Sequence, residues 1–346
     1  MAFPPSTMRA WQFSSTKGGL DKNLTINPSA ALPKPGSDQH LVQVIAVALN
    51  PIDYKPAEIP GVTRFALTKP VTPGIDFAGS IVTPAPGSSF KAGQLVFGCS
   101  GQSPIAGTAL REFSIAKTSN IAPLPDGVDP VDGATVGVAG LTAYQSIVPH
   151  VKKGDKIFIN GGSGGTGAFG IQIAKAVGCH VTTTCSTPNV GLCQSLGADK
   201  VVDYKAGSVL EALKSSGIKF DHAVDNVSSD KDLIWQCHEF LKPKALYVTV
   251  GGQPSLADLA DLLKRKLWPG FLGGIKGNVV GFWPNPNPEE LQKIGEWIQD
   301  GTIKPLIDHK FPFDQAPQAF ERLKTGRAKG KVVVDVASET YQKSSK

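Results

Sequence analysis

The sequence predicts an α/β protein of two domains, one β-rich and one built on a doubly wound parallel sheet. Its 346 residues exceed what a single hydrophobic core usually serves. The apolar segment 156–160 leads into a turn of closely spaced glycines, and a helix-compatible segment from Ala168 to Val177 follows. Strand and helix signals then alternate to about residue 250, a pattern typical of parallel sheets with helical crossovers.

The chain up to about residue 125 is predicted to be β-rich. Its strand candidates are 41–49, 76–82 and 94–98, separated by Gly- and Pro-containing turns. A turn at 126–130 marks a boundary, and residues 131–148 are predicted to be helical around a glycine-containing middle. The 38 glycines and 27 prolines agree with many short strands.

The central segment supplies the elements of the parallel sheet, and the C-terminal segment adds two helices and a last strand. Strands are predicted at 156–160, 180–184, 200–203, 222–226 and 245–250. Helices are predicted at 190–196, 208–215 and 230–241. Near residue 284 the chain turns again, and an amphipathic helix at 289–300, a short helix after 311 and a strand at 331–336 complete the prediction.

Composition and charge exclude several classes of function. The net charge of +6 is spread along the chain, without the basic stripe and interleaved aromatics of a nucleic-acid surface. No apolar run approaches the ~20 residues of a membrane span, and the N-terminus has no secretory signal pattern. The five cysteines form no C-x-x-C pair, so we expect reduced thiols, no metal cluster and a cytoplasmic protein.

The glycine turn has the spacing of a dinucleotide-binding loop. Gly162, Gly164 and Gly167 fit G-x-G-x-x-G between a strand and a helix. Small residues there let the backbone approach a pyrophosphate, which would lie at the positive end of the helix. The predicted loop contacts are Gly162, Ser163, Gly164, Gly165, Thr166 and Gly167.

An ordered set of motifs resembles a known family. The segments N-P-I-D-Y-K at 50–55, P-G-I-D-F-A-G at 73–79, G-L-T-A-Y at 140–144 and G-R-A-K-G-K at 326–331 flank the glycine loop in the expected order. Together they resemble the medium-chain dehydrogenase/reductase superfamily, in its zinc-independent quinone oxidoreductase branch. The resemblance implies a GroES-like β-rich domain from residues 1–125 and 284–346, with a Rossmann domain at 126–283 inserted between them and the substrate held in the cleft.

The resemblance also restricts the chemistry. Zinc-dependent relatives have a cysteine where this chain has Asn50, and a G-H-E triplet where it has Gly74, Ile75 and Asp76. Without a Lewis acid, oxidation of simple alcohols is not expected, whereas hydride addition to a quinone or an α,β-unsaturated carbonyl is. Tyr54 and Lys55 are the predicted catalytic residues, as donors to the developing oxyanion or as a proton relay.

The expected cofactor is NADPH. The second strand of the parallel sheet ends without the Asp or Glu that binds ribose hydroxyls in NAD-preferring folds. Ser186 and Thr187 offer hydroxyl groups there, and Tyr204 could close over the adenosine. The remaining predicted cofactor contacts are Asn50, Thr142, Asn226, Val227, Val250, Gly251, Phe282, Trp283 and Lys331.

Three functions remain open at this point. The leading hypothesis is an NADPH-dependent reductase of free quinones, enones or enals, which are small-molecule substrates. The second is a trans-acting enoyl reductase of a polyketide synthase, which would take a carrier-bound enoyl thioester and contact a carrier protein. The third is a non-catalytic NADPH-binding or structural protein. Both a homodimer and a monomer are compatible with the sequence, because the stretch 252–283 could cover the sheet edge used for pairing.

Overall fold

The computed structural model describes residues 5–59, 69–100, 107–250 and 275–337. The chain divides into two compact units: unit 1 comprises Met1–Leu141 and Asn285–Lys346, and unit 2 comprises Thr142–Pro284. The division falls within a helix, whereas the first boundary predicted from the sequence lies at the turn that precedes it.

The described ranges contain fifteen strands and eight α-helices, with short 3₁₀ turns between them. The strands are β1 (Thr7–Gln12), β2 (Thr25–Ala31), β3 (Gln39–Leu49), β4 (Asp76–Thr83), β5 (Leu95–Cys99), β6 (Phe113–Lys117), β7 (Ile121–Pro123), β8 (Lys156–Asn160), β9 (His180–Cys185), β10 (Lys200–Asp203), β11 (Phe220–Asp225), β12 (Leu241–Val250), β13 (Asn278–Phe282), β14 (Ile307–Pro312) and β15 (Lys331–Asp335). The helices are α1 (Pro130–Ala134), α2 (Gly137–Ile147), α3 (Gly165–Ala176), α4 (Val190–Ser195), α5 (Val209–Ser215), α6 (Lys231–Trp235), α7 (Pro288–Gln299) and α8 (Ala316–Lys324).

Unit 1 is a β domain that both ends of the chain build together. Its seven-stranded sheet has the order β14-β15-β3-β4-β5-β7, with β6 also paired to β3, and β1 and β2 form a separate ladder. The C-terminal strand β15 lies antiparallel to β3, so that Val332 faces Leu49 across the pair. Buried Phe77, Phe313 and Phe320 belong to the core that holds these segments together. Residues far apart in the sequence, such as 50 and 331, are thereby brought to one end of the sheet.

Unit 2 is a doubly wound parallel sheet. Its six strands have the order β10-β9-β8-β11-β12-β13, and every neighbouring pair is parallel. This order reverses direction at β8, and the point of reversal is where such sheets bind dinucleotides. The predicted fold class, a GroES-like β-rich domain with a Rossmann-type domain, is confirmed.

Two sets of elements differ from the sequence prediction. The helix expected over 230–241 ends at Trp235. Phe240 turns into the core, where its ring lies 5.7 Å from Phe158 and 6.3 Å from Tyr247, and the chain continues directly as β12. No individual strand was predicted for β1, β2, β6, β7, β13 or β14. Of these, β2 and β13 are largely exposed, and their sequences lack clear apolar alternation.

No helix of the described ranges combines the length and the apolar character that crossing a membrane requires.

Candidate functional site

The glycine loop lies where β8 ends and α3 begins, at the carboxyl edge of the parallel sheet. A Cβ at position 162 would overlap the Thr183 hydroxyl, and one at position 167 would overlap the Gly161 carbonyl oxygen. Both glycines are therefore required for the close packing of the loop against β9 and of α3 against β8. Gly161 itself has φ +82°, in the left-handed region that favours glycine.

Gly164 has a different role, because the space beside it is open. The nearest protein atom to a Cβ at this position would be the Gly161 carbonyl oxygen, 3.7 Å away. Gly164 is also the N-cap residue of α3, and no side chain caps the first N–H groups of this 12-residue helix. Uncapped N–H groups at a helix start, with open space beside the N-cap residue, fit the pyrophosphate of a dinucleotide.

The end of β9 carries a group of polar side chains beside this loop. Asn189 donates from Nδ2 to Ser163 Oγ at 3.2 Å and to Ser186 Oγ at 3.3 Å, and its own Oδ1 is buried without a partner in the described ranges. Asn189 was not predicted as a site residue, although it lies within the segment after β9 that the prediction covered. It connects the glycine loop to the segment where the adenosine ribose is expected.

A carboxylate lies closer to this segment than the sequence suggested. Asp203 stands opposite Cys185 in the β9–β10 register, and its Oδ2 accepts a hydrogen bond from Thr187 Oγ1. This hydrogen bond lowers the pKa of Asp203, so the group is ionised at neutral pH. This acid ends the neighbouring strand β10, so the residues that follow β9 did not reveal it. The Thr187 hydroxyl therefore donates its hydrogen bond to Asp203.

Several other predicted cofactor residues lie at the carboxyl ends of strands in unit 2. Tyr204 is exposed, with the Lys205 ammonium 5.5 Å from its ring centre. Asn226 donates to the Asn160 carbonyl at 3.1 Å and keeps its buried Oδ1 unpartnered in the described ranges, while Val227 is exposed.

The later predicted positions are more varied. Thr142 is buried in α2, Val250 ends β12 and Phe282 packs against the sheet core. Trp283 is 53% exposed. Gly251 lies outside the described residues. Contact between these positions and a cofactor stays a prediction.

The predicted catalytic residues follow β3 in unit 1, after the short turn Pro51–Asp53. Tyr54 packs against the unit 1 core, and the Lys324 ammonium lies 5.6 Å from its ring centre. Burial, followed by the charge of Glu58, raises the pKa of Tyr54, so the phenol stays protonated. Partial burial lowers the pKa of Lys55. Tyr54 is thus anchored in its own domain, whereas Lys55 has the lowered proton affinity that suits an ammonium donor.

Asn50 and Lys331 meet in a buried network of unit 1. Asp76, fully buried, accepts hydrogen bonds from Asn50 Nδ2 at 2.8 Å, from Lys331 Nζ at 3.2 Å and from the Val138 N–H at 2.8 Å. Lys331 also donates to Asn50 Oδ1. Burial raises the pKa of Asp76, and these donors oppose the rise. The network ties β3, β4, β15 and the start of α2 together, and the predicted contact of Asn50 and Lys331 with the cofactor stays a prediction.

These residues do not fit a catalytic zinc. Ile75 is apolar and buried at the position that the resemblance assigns to a histidine ligand. Asp76 is occupied by an ammonium group, an amide and a backbone N–H. Within residues 5–59, 69–100, 107–250 and 275–337, no three His, Cys, Asp or Glu side chains are grouped to hold a metal ion.

Asp53 completes the network with a second buried carboxyl group. Its Oδ2 accepts from the Asn50 N–H at 2.7 Å, while Oδ1 has no partner in the described ranges. Burial, then the neighbouring charge of Asp76, raises the pKa of Asp53 to about 7. Asp53 is therefore protonated in the folded protein at pH values where it would be ionised in the unfolded chain.

Asp53→Asn is expected to remove a pH dependence of stability. In the unfolded chain Asp53 has its usual pKa of 3.8 and is ionised above that pH. In the folded protein its pKa is about 7, so it keeps its proton up to that pH. Folding stability therefore falls as the pH rises through this window and changes no further above it. Thermal melting at intervals from pH 4.5 to 8 should show the variant gaining stability relative to the original protein by a few degrees. A constant difference between the two proteins across that range would contradict the assignment.

Family models match both parts of the chain. The model described as "Alcohol dehydrogenase GroES-like domain" matches residues 36–126, in unit 1. The model described as "Zinc-binding dehydrogenase" matches residues 196–334, which span most of unit 2 and the C-terminal part of unit 1. Together they cover well over half of the chain.

The chain is similar over nearly its full length to known reductases. It is 45% identical over 355 aligned residues to "Trans-enoyl reductase pgmF" of Aspergillus terreus, covering 98% of each protein. It is 30% identical to "Quinone-oxidoreductase homolog, chloroplastic" of Spinacia oleracea, over 95% of this chain and 98% of that one. Among solved structures, the quinone oxidoreductase from Coxiella burnetii superposes with a TM-score of 0.82 at 28% identity, covering 95% of this chain and 99% of that one.

Proposed function

Because the chain belongs to the medium-chain dehydrogenase/reductase superfamily, in the branch of quinone oxidoreductases and trans-enoyl reductases, we propose that it reduces enoyl thioesters with NADPH. The chain is an NAD(P)H-dependent oxidoreductase of this branch. The finer assignment of the substrate rests on one observation, the 45% identity over 98% of both chains with a trans-enoyl reductase. The quinone oxidoreductase homologue, at 30%, is more distant. This reverses the order of preference that the sequence alone suggested.

The chemistry requires a hydride acceptor carbon and a place for negative charge. When bound, NADPH would supply a hydride for the β-carbon of the conjugated thioester. The electron pair of the double bond then moves onto the thioester oxygen, and the α-carbon takes a proton. Lys55 is the residue proposed to stabilise that oxygen and to deliver or relay the proton, because its partly buried ammonium releases a proton more readily than a solvated lysine does.

The choice of NADPH is supported by the polar group after β9. Ser163, Ser186 and Asn189 form a connected set of hydrogen-bonding groups, and Lys205 adds a nearby positive charge. The negative charge of Asp203 would repel a 2′-phosphate. This carboxylate already accepts hydrogen bonds from Thr187 Oγ1 and the Lys205 N–H, which offset part of that repulsion. We therefore expect the protein to prefer NADPH but still to use NADH less efficiently.

A substrate panel tests the proposal. The protein is supplied with NADPH or NADH and with crotonyl-pantetheine, the same crotonyl group on an acyl carrier domain, a free enone or a benzoquinone. We expect the thioesters to be reduced to the saturated product, with the carrier-bound form favoured, and NADPH favoured over NADH by about tenfold or more in kcat/KM. Consumption of NADPH with the quinone or enone and none with either thioester would reject the enoyl reductase proposal.

The second candidate is the reduction of free quinones or enones. It is supported by a further relative named "2-methylene-furan-3-one reductase" from Solanum lycopersicum, which is 31% identical over 95% of this chain. The same panel separates the two functions, since only the enoyl reductase gains from the carrier. Binding of NADPH without turnover of any acceptor would favour the non-catalytic alternative.

The proposed reaction points to one macromolecular partner. A carrier protein is the proposed macromolecular partner, alongside the small enoyl group that it presents. The sequence offers the Lys264–Leu267 region as a candidate docking patch for the carrier, and this region lies outside the described residues. A cytoplasmic location and the choice between homodimer and monomer stay predictions.

A further inference from the structure

A chain of buried polar side chains runs beneath the cofactor loop of unit 2. It begins at Tyr247 on β12, passes through Asp225 at the end of β11 and Asn160 at the end of β8, and reaches Thr184 on β9. All four side chains are buried, with Asp225 and Tyr247 at 0% exposure. None of them was predicted as a site residue, because each reads in the sequence as an ordinary strand position.

Asp225 is the centre of this chain. Its Oδ2 accepts from the Tyr247 hydroxyl at 2.8 Å, and its Oδ1 accepts from Asn160 Nδ2 at 2.8 Å. Oδ1 also accepts from the N–H groups of Val227 at 2.9 Å and Ser228 at 2.8 Å. Four donors on one carboxylate offset the cost of burying its charge. Burial and the Asp225 charge raise the pKa of Tyr247 far above its usual range, so the phenol remains a donor.

The row of hydrogen-bonded side chains that starts at Tyr247 ends on the backbone of the glycine loop. Thr184 Oγ1 donates to Asn160 Oδ1 at 2.5 Å and accepts from the Gly161 N–H at 2.8 Å. The Thr184 carbonyl accepts from the Gly162 N–H at 2.8 Å. The first two glycines of the loop are therefore held by one threonine, which is itself oriented by the Asp225 network.

The same carboxylate fixes the turn that follows β11. Ser228 has φ +53°, which is unusual for a residue with a side chain, and Asp225 binds its N–H. This turn leaves Val227 48% exposed and directs it toward Gly161, where a Cβ would come within 2.7 Å of Val227 Cγ2. One buried group thus sets the position of two segments that line the expected cofactor site.

We infer that the Tyr247–Asp225–Asn160–Thr184 chain positions the glycine loop and the 226–228 turn for the cofactor pyrophosphate, with Thr184 and Asp225 as positioning residues. Neither residue needs to touch the cofactor. Their contribution is to hold the loop N–H groups in the binding geometry before the cofactor arrives, so that binding does not have to order them. The inference depends only on the dinucleotide cofactor, and it holds whichever acceptor the enzyme reduces.

A pair of variants at position 184 separates positioning from packing. Thr184→Val keeps the shape and loses the hydroxyl, whereas Thr184→Ser keeps the hydroxyl and loses a buried methyl. We expect Thr184→Val to weaken NADPH binding, measured by fluorescence titration, on the order of tenfold, the effect of one buried hydrogen bond. Thr184→Ser should bind NADPH within about twofold of the original protein despite a lower Tm.

Two further measurements complete the test. Binding of 2′-AMP, which lacks the pyrophosphate, should change less than about twofold in Thr184→Val, whereas general damage to unit 2 would weaken both ligands alike. His222→Leu deletes a buried hydrogen bond to the Ser146 carbonyl, three residues before Asp225 on the same strand, and should leave NADPH binding intact. Equal NADPH affinities of the Val and Ser variants, or parallel losses for NADPH and 2′-AMP, would overturn the inference. Titration of the original protein with NADH alongside NADPH keeps an error in cofactor choice distinguishable from an error in the positioning role.

Discussion

Gly164→Ala is expected to leave the fold intact and to weaken binding of NADPH by about a hundredfold. The added methyl meets no protein atom closer than 3.7 Å, and the backbone angles at Gly164, φ −80° and ψ 173°, suit alanine. Gly164 is the N-cap residue of α3, so the methyl would be added next to the uncapped N–H groups at the helix start. We expect a cofactor pyrophosphate to approach the helix start through the open space beside Gly164, so the methyl should weaken cofactor binding without disturbing the fold.

Two further glycine substitutions serve as comparisons for Gly164→Ala. Gly207→Ala also adds a methyl into open space, with nothing within 4 Å, and should leave both Tm and NADPH affinity unchanged. Gly167→Ala forces a methyl against the Gly161 carbonyl and should lower Tm as well as affinity. Calorimetric titration measures the NADPH affinity of the three variants, and thermal melting measures their Tm. Full NADPH affinity in a folded Gly164→Ala protein would show that the pyrophosphate does not bind at this loop.

Lys331→Met is expected to destabilise unit 1 strongly. The substitution leaves Asp76 ionised or forces it to take up a proton, in a site where its exposure is 0%. Removing one partner of a buried ion pair costs about 3–5 kcal/mol, which for a domain of this size lowers Tm by about 10 °C. Differential scanning calorimetry at pH 7 measures the effect.

A second substitution and a surface control identify the cause. Adding Asp76→Asn to Lys331→Met removes the unpaired charge, and the double variant should recover much of the lost stability. Lys293→Met breaks an ion pair with Glu296 in which both side chains are 48% exposed, and should change stability by less than about 1 kcal/mol. Equal Tm values for Lys331→Met and Lys293→Met would mean that the buried network contributes nothing to the domain.

The parallel sheet was the part of the fold most readily predicted from sequence. Strands β8 and β10 have the predicted limits, because each has apolar residues at its centre and is followed by a turn. Helix α6 is shorter than predicted since the burial of Phe240 among the rings of Phe158, Phe220 and Tyr247 outweighs local helix propensity. The edge strand β13 lacks the apolar alternation that would have revealed it.

The candidate site also has a part that could be predicted from the sequence and a part that could not. The glycine loop could be predicted because its chemistry depends on residues close together in the sequence. Asp203 and Thr187 meet only because β10 lies beside β9, and the four residues of the Tyr247 chain come from four different strands. Asn50 and Lys331 are 281 positions apart and meet through the pairing of β15 with β3. Such pairings depend on tertiary structure, which no local pattern specifies.

The most direct test of the proposed function follows the hydride itself. NADPH carrying deuterium at C4, prepared separately in each of its two stereochemical forms, is mixed with the protein and crotonyl-pantetheine. We predict that one of the two forms transfers its deuterium to C3 of the saturated butyryl thioester, detected by mass spectrometry and located by NMR. Deuterium at the former carbonyl carbon, in an aldehyde or alcohol, or consumption of NADPH without labelled product, would contradict the proposal that this chain is an enoyl reductase.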